Sequence, residues 1–94
     1  MLSLASFRLL FPQLYVELNN CGFDNYLAEK YQLARFYFQC ALLLKPNYKK
    51  AHYNLGATYE KLQQFEKARN EYNIAEGVSE AYSNLARLCK IGRA

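Results

Sequence analysis

The sequence predicts an all-α fold, a short stack of antiparallel helix–turn–helix repeats with about five helices. Three observations predict it. The chain matches itself at an offset of 34 residues, small and aromatic residues recur at i, i+4 and i+7 within each copy, and proline stands where a copy must end.

The offset pairs Leu9 with Leu43, Leu10 with Leu44, Pro12 with Pro46, Asn20 with Asn54 and Gly22 with Gly56. It continues through Tyr31 and Phe65, Ala34 and Ala68, Arg35 and Arg69, Phe38 and Tyr72, and Ala41 and Ala75. A period of this length marks a solenoid, whose units cannot bury their apolar faces alone.

Taken in order, residues 1–14 read as the closing helix of an incomplete unit, because Leu9, Leu10 and Pro12 align with Leu43, Leu44 and Pro46. Residues 15–48 form the first full repeat. Its second helix carries Ala34, Phe38 and Ala41 on one face and ends before Pro46, which cannot donate the next helical hydrogen bond. Residues 49–78 form the second repeat, with Leu55, Gly56, Tyr59 and Leu62 on its first helix and Ala68, Tyr72 and Ala75 on its second. Short polar turns, EKY and QQF, force the paired helices antiparallel. Gly56 and Ala68 let the backbones approach while Tyr59, Phe65 and Tyr72 fill the space beside them. Residues 79–94 read as the opening of another unit, since Asn84-Leu85-Ala86 echoes Asn54-Leu55-Gly56. That echo comes four residues early, about one helical turn, so the preceding helix is expected to end near Gly77 with that glycine as its cap.

These residues resemble the tetratricopeptide repeat family: a Leu-Gly pair, a Tyr, a small Ala, an aromatic, another Ala and a closing Pro. The second repeat departs from the pattern at His52, where the family prefers an aromatic. The first departs at Cys21 and Asn25, where Leu and Tyr are expected. The resemblance implies a right-handed superhelix whose first helices line a concave face that binds extended peptides. It places Asn20, Lys50, Tyr53, Asn54, Ala57, Asn84 and Arg87 on that face, with Asn19 and Phe23 beside them. Asn20, Asn54 and Asn84 then form a ladder of amides, each able to donate to and accept from a peptide backbone. The clamp that some members use for a peptide carboxylate is not expected, because Asn19, Glu80 and Asn84 stand where its bases would be needed and Phe23 where it needs an Asn; of its residues only Asn54 fits.

Composition narrows the function classes. The net charge of +4 comes from 12 basic and 8 acidic residues; Arg8 is the one base in residues 1–29, and over the rest of the chain bases and acids are interspersed, which reads as a solvated surface. The alternatives are a helical repeat that binds RNA through Lys49, Lys50 and Tyr53 or through Arg87, Lys90 and Arg93, and a purely structural self-assembly module. No catalytic residue, cofactor or metal site is expected. His52 has no nucleophile or carboxylate partner in recognisable spacing, the four glycines form no phosphate loop, and Glu60, Glu66, Glu71 and Glu76 read as polar outer faces. The three cysteines, Cys21, Cys40 and Cys89, show no metal spacing and read as buried reduced thiols of a cytoplasmic protein. The apolar N-terminus leaves a mitochondrial or membrane-associated address as the alternative. No apolar run is long enough to span a membrane. The expected partner is a protein or peptide. The apolar stripes at the two ends, Leu4 and Phe7 on one and Leu85, Leu88 and Ile91 on the other, are expected to drive self-association into a homo-oligomer.

Overall fold

The computed structural model describes residues 3–91; of Leu4, Phe7, Tyr82 and residues 88–91 it describes the backbone alone. Five helices follow one another, with no strand among the described residues: α1 (Leu4–Leu10), α2 (Leu14–Leu27), α3 (Tyr31–Leu44), α4 (Lys49–Lys61) and α5 (Phe65–Ile91). Helix α2 pairs with α3 and α4 with α5, while α3 against α4 joins the two hairpins.

The 34-residue offset is present in the backbone itself. At the end of α2, Glu29 takes a left-handed φ of 62°; its N–H bonds to Tyr26 O at 3.0 Å, and Lys30 N–H bonds to Asn25 O at 2.8 Å. At the end of α4, Gln63 takes φ 61°, with Gln63 N–H to Glu60 O at 3.0 Å and Gln64 N–H to Tyr59 O at 2.8 Å. Both are the paired closure that turns a chain sharply out of a helix. Helix α3 stops at Leu44, before Pro46, as the proline requires. The turn before α2 matches the turn before α4, with Leu14 N–H bonded to Phe11 O and Tyr48 N–H to Lys45 O. Helix α1 therefore holds the place of the end of α3, one repeat earlier.

The two hairpins are also packed alike. A Cβ on Gly22 would stand 2.6 Å from Phe38 Cε1, and one on Gly56 would stand 2.6 Å from Tyr72 Cε1, so at each crossing only glycine admits the ring. Ala34, Phe38, Leu55, Tyr59 and Ala68 form the core, with Tyr26, Leu42 and Tyr72 packed against it. The positions where α2 departs from the repeat pattern do not prevent a helix. Cys21 is exposed, and Asn25 Nδ2 bonds back to Cys21 O at 2.8 Å.

Four expectations are corrected. Helix α5 does not end near Gly77; it runs unbroken for 27 residues, about 40 Å at helical rise. Gly77 has no positive φ, so it is not a left-handed cap, and its neighbours Glu76, Ser79, Glu80 and Ala81 include no proline to stop the helix. Its partner α4 has 13 residues, so the second half of α5 extends past the hairpin, and the described side chains of residues 80–87 are all exposed. Phe65 does not fill the hairpin: it begins α5 and is 63% exposed. Cys21 is exposed and Cys40 half-buried, against the expected burial; the Cys89 side chain lies outside the described residues. Glu71 is not an outer-face residue, because it reaches His52.

Candidate binding groove between the two hairpins

Helices α2 and α4 lie side by side where the hairpins meet, and a pocket of about 130 Å³ opens between them. Phe23 and Tyr26 of α2 form one wall, Asn54 and Ala57 of α4 the other, and Phe38 lines the pocket from α3. Ala57 is small at a position whose repeat counterpart is Phe23, and that difference leaves room between the helices. The polar element is Asn54. Its Nδ2 donates to Asn19 Oδ1 at 3.1 Å, a bridge between the hairpins, and no hydrogen bond to its Oδ1 occurs among the described residues. Asn19 is 4% exposed, so losing Asn54 would leave a buried amide unpaired. Along α4, Lys50, Asn54, Ala57 and Lys61 follow helical spacing, with both lysines exposed.

Of the other residues placed on this face by the repeat pattern, Asn20 lies on α2 but is exposed. Tyr53 is turned to α5. Its hydroxyl donates to the Glu76 carboxylate, its ring lies 6.1 Å from that of Tyr72, and Lys49 Nζ sits 5.5 Å above it. The hydrogen bond to Glu76, with some burial, raises the Tyr53 hydroxyl pKa. Tyr72 is pushed up to about 12, first by burial and then by its hydrogen bond to Glu60. Asn84 and Arg87 do not join the groove. They are exposed on the extended part of α5, where Arg87 donates to Asn84 Oδ1, and the asparagine ladder is cut to Asn20 and Asn54. Leu85 is 58% exposed on the same segment, and the side chains of Leu4, Phe7, Leu88 and Ile91 lie outside the described residues.

His52 is a clamp. It is 6% exposed, with Nε2 2.7 Å from Pro46 O and Nδ1 2.7 Å from Glu71 Oε2. The carbonyl can only accept, so Nε2 donates to it. The imidazole thus ties the turn before α4 to α5. Sequence reading missed Glu71 because its partner lies 19 residues away on another helix. It also missed the Asn19 to Asn54 bridge and Tyr26 as a wall of the pocket.

Fold and groove together define an all-helical protein built from repeated hairpins, and no described helix is long and apolar enough to cross a membrane. Among named proteins the chain is similar to the uncharacterized protein ycf37 of Guillardia theta, with 41% identity over 54 residues. That match covers 57% of this chain and spans 30% of the length of the relative. No family model and no solved structure matches the chain.

Proposed function

We propose that the chain is a protein-interaction scaffold of the tetratricopeptide kind, which holds an extended peptide in the groove between α2 and α4 and catalyses nothing. The pocket walled by Phe23, Tyr26, Asn54 and Ala57 carries this reading. It lies at the junction of two repeats, admits one bulky apolar side chain, and sets a carbonyl acceptor, Asn54 Oδ1, beside it for a backbone N–H of the ligand. The engagement of both His52 nitrogens supports the absence of catalysis, since neither is available to a substrate.

Panning a displayed peptide library on the immobilised chain tests this. Enrichment of peptides with a bulky apolar residue is expected. Ala57→Trp, which fills the pocket, should abolish binding of a selected peptide, and Asn54→Ala should weaken it about tenfold, the loss expected for one buried hydrogen bond and its bridge. Binding that survives Ala57→Trp would refute the groove, and failure to enrich any peptide would refute the scaffold reading.

A further inference from the structure

The outward face of α3 has no structural reason to be apolar. Its counterpart on α5 carries no large apolar side chain at the same places in the repeat: Leu33 corresponds to Lys67, Phe36 to Asn70 and Leu43 to Gly77. Yet Leu33 is 43%, Phe36 56% and Leu43 64% exposed, at i, i+3 and i+10 along one side of the helix. Helix α1 extends the surface by a repeat, with Leu9, the equivalent of Leu43, 84% exposed, and Leu10 and Phe11 following it.

The two helices that carry this surface contribute no negative charge to it. Neither LASFRLL of α1 nor YQLARFYFQCALLL of α3 contains an acidic residue. Arg8 donates to Leu43 O at 2.9 Å and so stands beside the apolar stripe; Arg35 precedes Phe36, and Lys45 lies two residues past Leu43. Glu29, beside Lys30 in the turn before α3, is the nearest carboxylate in sequence. Protruding apolar side chains rimmed by cations, without carboxylates among them, are the pattern of a surface that lies in the interface of an anionic bilayer. A symmetric contact with a second copy would set Arg8 and Arg35 against their own kind, which disfavours that occupant.

We propose that the α1–α3 face docks the protein on an anionic lipid surface, with Leu9, Leu33, Phe36 and Leu43 entering the interface, the exposed Arg8 facing the headgroups and Lys45, around the same pocket as Arg8 and Phe11, adding its charge behind them. The peptide groove opens between α2 and α4, and α3 meets it only through Phe38, on its buried side, so the groove would stay open.

Flotation with vesicles of phosphatidylcholine, alone or mixed with phosphatidylserine, tests the proposal on the full chain. Flotation with the mixed vesicles only, weakening with added salt, is expected. The double variant Phe36→Ser and Leu43→Ser, at two exposed side chains, should cut partitioning about tenfold or more, as loss of the buried apolar area requires. Arg8→Gln should cut it about fivefold, while Asn70→Ser, on the α5 counterpart of Phe36, should leave it unchanged. Circular dichroism of each variant checks that the fold is kept. No flotation, or flotation unaffected by the double variant, overturns the proposal. Retention on polyglutamate without flotation would assign the face to an acidic protein. A dimer in light scattering that dissociates in the double variant would assign it to a second copy.

Discussion

The hairpins α2–α3 and α4–α5 have turns closed by the same hydrogen bonds and crossings made by the same glycine–ring contact, but they differ in what covers their rings. Phe38 is fully buried because α4 lies over the first hairpin. Tyr72, the corresponding ring of the second hairpin, is only half-buried. Backbone geometry in a repeat is thus set within each unit, whereas burial is set by the neighbour. The two units should therefore respond unequally to the same change.

The largest effect is expected from Phe38→Ala, which leaves a ring-sized void in the covered unit and should cost about 3–5 kcal/mol in a denaturant titration. A cost near 1 kcal/mol would show that the first hairpin is not the better covered one. Next come the glycines. Gly22→Ala meets a ring with nowhere to go and should cost about 1–3 kcal/mol. Gly56→Ala meets Tyr72, which can swing toward solvent, so the gain in helix propensity should hold the net change below about 1 kcal/mol. Equal losses at the two sites would erase the distinction. Gly77→Ala tests the long helix by its sign. Inside a continuous helix the change should stabilise by about 0.5–1 kcal/mol, whereas at a left-handed cap it would destabilise.

The smallest effect is a slope. The Tyr72 pKa rises from 10.0 to about 12 on folding, so between those values the folded chain keeps a proton that the unfolded chain has lost. Its contribution is complete below pH 10 and disappears as pH climbs through the folded pKa. Tyr72→Phe should flatten the fall in stability over that window, and an unchanged slope would place the alkaline sensitivity elsewhere, with Tyr48 and Tyr53 the next groups to examine.

Periodicity made the hairpins legible because Gly22, Gly56, Ala34, Ala68, Ala41 and Ala75 sit where backbones must come close, and only small residues meet that demand. Pro46 made the end of α3 legible for an equally local reason. The turns were legible by length but not by conformation, since Glu29 and Gln63 adopt the left-handed region without the glycine that would announce it. The end of the chain misled because Asn84-Leu85-Ala86 imitates Asn54-Leu55-Gly56, while a helix continues wherever nothing stops it. In the groove, Asn54 and Ala57 were visible as repeated or small residues on one helical face. The Asn19 bridge, the Tyr26 wall and the Glu71 to His52 contact depend on how neighbouring helices meet, which the period along one chain does not encode.

The groove is tested most directly by amide chemical-shift mapping of the isotope-labelled chain titrated with a selected peptide. The largest shifts should fall on Asn19, Phe23, Tyr26, Asn54 and Ala57, with the outward face of α3 and the extended half of α5 unmoved. Shifts concentrated on Leu33, Phe36 and Leu43, or on Asn84 and Arg87, would contradict the assignment of peptide binding to the junction of the two hairpins.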